Sequence, residues 1–274
     1  MLHLIKDLEK CTIGATDGEI GHVEDFYFDD EAWVIRYLVV RAGAWLGGRN
    51  VLVSPYSVGA SDWKSTILPV SITKEQVRNS PLIDTERPVS RQHEMSYLGY
   101  YGYPYYWGGL GIWGASFYPG MAAGFGYEAV GLNYRNGRTY GVREAPADAE
   151  ERRENEDPHL RSCNEIAGYH LLATDGDLGH VQGFLVDDKS WSIRYLIVNT
   201  SNWWLGHQFL IAPEWIDKVS WAERSVTVNL NRQTVKDSPP YDESIPLDSA
   251  TEALIYRHYG RPVYWQDDSR REVA

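Results

Sequence analysis

The strongest strand pattern along the chain is Trp33-Val-Ile-Arg-Tyr-Leu-Val-Val40, and a near copy, Trp191-Ser-Ile-Arg-Tyr-Leu-Ile-Val198, follows 158 positions later. β-Branched and aromatic side chains favour a pleated, half-buried surface. The later half of each run is apolar at every position, as in strands covered on both faces. Upstream, Asp17-Gly18 and Asp175-Gly176 carry hairpin-turn chemistry, since Gly accepts positive φ and Asp bonds its own backbone. The pattern predicts strands over residues 20–28 and 178–186, each leading to an acidic turn, Asp29-Asp30 or Asp187-Asp188. Further strands are expected over 51–53, 66–72, 209–211 and 225–230. Residues 73–79 and 233–237 read as short helical turns before a Ser-Pro stop. A helix is expected over 250–258, opened by a capping box, Ser249-Ala-Thr-Glu252, and ended by Gly260 and Pro262, with a weaker equivalent over 90–98.

These elements are one unit used twice. Residues 16–40 and 174–198 share 15 of 25 positions without a gap. The same offset of 158 pairs Trp63 with Trp221, Ser80-Pro81 with Ser238-Pro239, Pro88 with Pro246 and Glu94 with Glu252. It also pairs Tyr101-Gly-Tyr-Pro-Tyr-Tyr-Trp107 with Tyr259-Gly-Arg-Pro-Val-Tyr-Trp265. Each repeat is therefore a globular part followed by a helix and an aromatic arm ending in Y-G-x-P-x-Y-W. The expected organisation is a first barrel over 1–82, helix and arm over 83–107, and a spacer over 108–160 that is Gly/Tyr-rich and then charged. A second barrel follows over 161–240, with its helix, arm and tail over 241–274. Five or six short strands in each globular part suit a small barrel, so the fold class is all-β with two barrels in tandem.

Composition narrows the function classes. Lys and Arg number 26 against 38 Asp and Glu, a net charge of −12, which argues against direct nucleic-acid binding. The 19 Tyr and 11 Trp far exceed the 6 Phe, and these amphipathic rings favour interfaces over a larger core. The N-terminal residues hold no apolar run of signal-peptide length. The charge-free stretch 97–127 has 9 Gly and 12 aromatics in 31 residues, with Pro104 and Pro119 inside, unlike a spanning helix. Peripheral contact with a membrane through these rings remains open, but a transmembrane segment is not expected. Cys11 and Cys163 form no metal spacing and no disulfide framework, and a cytoplasmic protein with free thiols is the expectation.

The repeated residues resemble the PRC-barrel family, whose signature is D-G-x-x-G-x-V, then D-D and a W-x-I-R-Y-L-V-V strand. Here these are Asp17, Gly18, Gly21, Val23, Asp29, Asp30, Trp33 and residues 35–40, repeated over 175–198. The resemblance covers 12–82 and 170–240. It implies a module that binds other macromolecules without shared catalytic residues. The family includes the cytoplasmic domain of the photosynthetic reaction-centre H subunit and a domain of a bacterial small-subunit ribosome maturation factor. Neither a transmembrane helix like that of the H subunit nor the maturation factor's separate N-terminal domain is expected here.

Several residues invite chemistry. Arg36 and Arg194 sit mid-strand among apolar neighbours and need partners, for which Asp29 or Asp30, and Asp187 or Asp188, are the candidates common to both copies. Asp25 is a tempting partner too, but its counterpart is Gly183. The acidic turns read as solvated turns rather than calcium loops, because Lys189 replaces Glu31. His22 and His180 are equivalent, and facing each other around a pseudo-twofold they would make a metal pair, although their spacing gives no local ligand pattern. Glu214 and Asp217 beside Trp215 suggest a sugar-type constellation that the first copy lacks. No nucleophile elbow, phosphate loop or zinc helix occurs, so no catalytic, cofactor or metal residue is assigned. In the arms, Tyr101, Pro104 and Trp107, with Tyr259, Pro262 and Trp265, are structural or interface candidates, expected to bury rings between the two copies. Residues 143–165 read as a solvated tether. The resulting expectation is a non-catalytic binding or scaffold protein whose two units pair as a pseudo-dimer, with unknown protein partners. A peripheral accessory of membrane electron transfer is the alternative, and a ribosome-assembly factor the third reading.

Overall fold

The computed structural model describes residues 1–59, 65–81, 89–107, 109, 111–120, 159–200 and 207–265. Trp63, Pro88, residue 82, most of the 108–160 spacer, Trp204 and the C-terminal tail lie outside the described residues. The fold is mostly β, with two sheets and few helices.

The elements, in chain order, are β1 (Leu2–Leu4), α1 (Ile5–Leu8), β2 (Thr12–Ala15), β3 (Gly18–Asp29), β4 (Val34–Ala42), β5 (Asn50–Val53), β6 (Ile67–Pro69), α2 (Lys74–Asn79) and α3 (Arg91–Tyr101). The second repeat supplies β7 (Leu160–Ser162), α4 (Cys163–Ile166), β8 (His170–Ala173), β9 (Gly176–Asp187), β10 (Ile193–Asn199), β11 (Gln208–Ile211), β12 (Ile216–Ser220), β13 (Ser225–Val228), α5 (Arg232–Lys236) and α6 (Ser249–His258). Contacts group the chain into two units. The first holds Lys6–Asn164 with Asp188–Ser192, and the second holds Met1–Ile5, Glu165–Asp187 and Ile193–Ala274.

In the first unit the sheet runs β5-β4-β3-β2-β6, with β2 and β6 parallel and the other neighbours antiparallel. The chain leaving β5 returns to the far edge, where Gly59 N donates to Pro69 O at 2.9 Å and Ser71 N to Ser57 O at 2.8 Å. In the second unit the order is β11-β10-β9-β8-β13-β12, again with one parallel pair, β8 with β13. Each long strand, β3 and β9, is twelve residues and bends at register shifts opposite its neighbour. Phe26, Phe28, Val34, Ile35 and Leu38 are fully buried in the first unit, as are Leu178, Tyr195, Leu196 and Val198 in the second.

The second Gly of the repeated motif has a steric cause. A Cβ on Gly21 would lie 1.8 Å from the Arg41 carbonyl oxygen, and one on Gly179 2.0 Å from that of Asn199. Both positions need glycine because the neighbouring strand passes over them.

Each sheet is completed by a strand encoded in the other repeat. β7 pairs antiparallel with β3 through Tyr27–Ser162, Phe28–Arg161 and Asp29–Leu160. β1 pairs antiparallel with β9 through Leu4–Leu185, His3–Val186 and Leu2–Asp187. The two registers coincide when residues are shifted by 158, so the exchange is reciprocal. This corrects the reading of 143–165 as a solvated tether at its C-terminal end, since Leu160 and Cys163 are buried. Asp25 holds the incoming segment: its carboxylate accepts from Ser162 Oγ at 2.6 Å and from Asn164 N at 3.2 Å.

Other boundaries differ from expectation by small, explicable amounts. Trp33 and Trp191 have φ of 54° and 58° and precede β4 and β10 as left-handed turn residues rather than opening the strands. Asp17 Oδ1 accepts from Lys74 N at 2.7 Å, and Asp175 Oδ1 from Arg232 N at 2.8 Å, so these turn aspartates satisfy the first turns of α2 and α5. The cap of α6 is Asp248, which accepts from Thr251 N at 2.8 Å. Glu252, expected in a capping box, instead turns inward. β12, which no apolar pattern announces, exposes the adjacent Asp217 and Lys218 on an outer strand.

Candidate functional site

In the first unit, α3 and the arm after it converge on one buried carboxylate. α3 is capped by Ser90 and buries Glu94, Tyr97 and Leu98 against the sheet. Glu94 is 0% exposed. It accepts from Tyr37 OH on β4 at 3.1 Å and from Tyr106 OH of the arm. Arg91 lies 3.3 Å and His159 2.9 Å from the other carboxylate oxygen, so the buried charge is partnered. Burial, first, and then the nearby Glu94 charge push the phenols of Tyr37 and Tyr106 well up, which keeps both as protonated donors.

Tyr106 also roofs Arg36, whose guanidinium sits 3.9 Å from the ring centroid and 4.9 Å from that of Trp113. Arg36 donates to Asp29 Oδ2 at 3.1 Å and to the Ile112 carbonyl at 2.6 Å. Asp29 Oδ1 in turn accepts from the amides of Glu31 and Ala32 at 3.0 and 3.2 Å. Asp30 takes Arg161 at 2.9 Å. The acidic turn thus spends its oxygens on its own backbone and two guanidiniums, which is not the arrangement of a calcium loop.

The second unit repeats the core of this cluster. Glu252 accepts from Tyr195 OH at 2.9 Å and from Tyr264 OH at 3.2 Å, and Arg194 lies 4.1 Å over the Tyr264 ring. Glu252 is pushed up by burial, against the lowering effect of the two tyrosine hydroxyls. Asp187 and Asp188 close the strand that precedes this arginine.

Other candidates fall around these centres. Tyr101 packs on Tyr97 and Tyr103, with ring centroids 4.8 and 5.5 Å away, and burial pushes the Tyr103 phenol up to about 12. Trp107 stacks on Tyr105 at 4.7 Å, and Arg91 lies 4.2 Å over it. Pro104 is half-buried and Pro262 exposed. Tyr259 packs 4.7 Å from Trp215, and Trp265 lies 6.3 Å from Tyr256. These contacts all lie within the unit that carries each arm. Trp215 is buried against Tyr256 and Tyr259, and Glu214 bonds the Tyr256 hydroxyl, so the sugar-type constellation closes on itself.

His22 bonds Thr12 Oγ1 through Nδ1 at 3.0 Å in the first unit, while His180 packs against His170 in the second. The two free cysteines are buried, and burial raises both thiols. Among the described residues no group of three His, Cys, Asp or Glu is placed to hold a metal ion. No helix among them is long and apolar enough to cross a membrane.

The anchors that sequence reasoning left without a role are Glu94, Tyr37 and Tyr195, Tyr106 and Tyr264, and it gave Glu252 only a capping one. Their signal was present as identity between repeats at a helix position where polarity is otherwise unneeded, but only the fold joins the three. No curated protein matches the chain. The sequence model of the PRC-barrel domain family matches residues 2–77, the span from β1 through most of α2. Residues 2–77, which hold the bent β3 and the D-G-x-x-G-x-V turn, thus match the PRC-barrel domain family.

Proposed function

We propose that the protein is a non-catalytic binding scaffold in which two PRC-type units act as a pseudo-dimer. The observation that carries this reading is the exchanged pairing of β1 with β9 and of β7 with β3, in equivalent register. A sheet of this size buries little core alone, and a strand borrowed from the other repeat ties the folding of one unit to the other. The buried Glu94 and Arg36 clusters favour a structural role for these charges, because the arm covers them and leaves a substrate no approach to the carboxylate.

The test uses the full chain with a protease site inserted between residues 121 and 158. After cleavage the two pieces co-elute under native conditions and melt in one transition. Separation into two independently folded species overturns the pseudo-dimer. Cross-linking of the intact chain in native lysate is expected to recover specific protein partners, and self-links alone overturn the binding role. In flotation with anionic liposomes the protein stays in the unbound fraction, whereas comigration favours the peripheral membrane accessory.

A further inference from the structure

The second unit carries a pair of imidazoles that the first lacks. His170 on β8 lies directly opposite His180 on β9. His170 N donates to Arg224 O on the far side of its strand at 3.0 Å, so its amide points away from β9. The two histidines are therefore a non-hydrogen-bonded cross-strand pair, the kind in which side chains on one face approach closest. Their ring centroids are 4.3 Å apart. Imidazoles this close can each turn a nitrogen toward one shared ion, at metal–nitrogen bonds of about 2.0–2.1 Å.

The pair has an orienting group. Asp177 Oδ2 lies 3.2 Å from His170 Nδ1, and its other oxygen accepts from Gly179 N at 2.7 Å. A carboxylate only accepts, so in this contact Nδ1 of His170 is the donor, which leaves Nε2 as the nitrogen available to a metal. A carboxylate that fixes the tautomer of a histidine is the usual support of a metal-bound imidazole. His170 and Asp177 are both solvent-accessible, with side chains 49% and 44% exposed, so an ion reaches the pair without opening the sheet. In the first unit the same places hold Thr12, Glu19 and His22, and Thr12 Oγ1 occupies the Nδ1 of His22 at 3.0 Å.

We infer that His170 and His180 form a two-histidine site for a borderline divalent transition ion, zinc, nickel or copper, with Asp177 as the positioning residue. Two protein nitrogens leave the remaining coordination positions to water or to a group supplied from outside, such as the imidazole of a bound partner. Imidazole donors favour these ions over magnesium or calcium, which prefer oxygen.

The test is titration of the untagged full-length chain with Zn²⁺ by calorimetry, paired with broadening of histidine ring signals by Cu²⁺ in nuclear magnetic resonance. One Zn²⁺ ion per chain binds, and Cu²⁺ broadens His170 and His180 first. His170→Gln or His180→Gln weakens binding by more than about tenfold, Asp177→Asn by about tenfold, and His22→Gln has no effect. Circular dichroism melts of each variant show whether the fold survives, and the broadening pattern of the unmodified chain stands independently of them. Unchanged affinity in both histidine variants, or broadening centred on other histidines, overturns the site.

Discussion

At the residue scale, one tyrosine in each arm does two jobs. Tyr106 donates to the buried carboxylate of Glu94 and covers the Arg36 guanidinium with its ring face. Tyr106→Phe removes the first and keeps the second, and is expected to cost about 1–3 kcal/mol in urea unfolding because a buried charged acceptor loses a partner. Tyr106→Ala removes both and is expected to cost more, about 3–5 kcal/mol. The other carboxylate gives a pH signature. The folded-state value of Glu252 is raised above its ordinary 4.5, so the native state holds that proton more tightly than the unfolded chain does. Its stabilising contribution is complete below pH 4.5 and is lost as pH rises through the raised folded value. Glu252→Gln does not titrate. Wild-type stability relative to this variant is therefore highest in mild acid and falls toward neutrality, as denaturation at several pH values would show. These pairings were not legible in the sequence, where Glu94 and Tyr106 stand apart and neither looks unusual alone. The arginine's need for a carboxylate was legible, because a guanidinium inside an apolar strand run demands one, but the choice of Asp29 over Asp30 required the turn geometry.

At the element scale, the motif-rich strands announce themselves and the exchanged ones do not. β3 and β4 carry twelve and nine residues with turn signals at their ends. β1 and β7 have three residues each, too few for a period, and their partners are far away in the chain. Nothing local distinguishes them from frayed ends. β12 escaped for a related reason, since polar residues on an outer strand blur the alternation. Helix starts were legible to within a residue, whereas α3 runs three residues past its expected end at 98; the shift at α6 follows from Asp248 being free to cap while Glu252 is drawn to the tyrosines. Asp25 anchors the C-terminal end of β7, beside the ion pair of Arg161 with Asp30. Asp25→Ala removes the acceptor for Ser162 Oγ and for Asn164 N at the start of α4. Hydrogen exchange in residues 160–164 is expected to accelerate, with a global cost of about 1–2 kcal/mol. The equivalent strand β1 lacks such a clamp at Gly183, so its exchange should not change in the same variant.

At the scale of the whole molecule, the duplication could be read from the sequence because identity at a fixed offset needs no structure to be seen. The exchange between the copies could not, because a swapped and an unswapped arrangement satisfy the same apolar pattern. That exchange also orders events during synthesis. The open edge of β3 at Tyr27–Asp29 finds its partner only after Ser162 has left the ribosome. At about 5–20 residues per second, translation leaves that edge bare for on the order of ten seconds. For that interval the nascent chain presents an unsatisfied β-edge, the kind of surface that pairs with whatever extended strand it meets. Chains growing side by side on one messenger are thus positioned to trade strands with each other before either can close on itself.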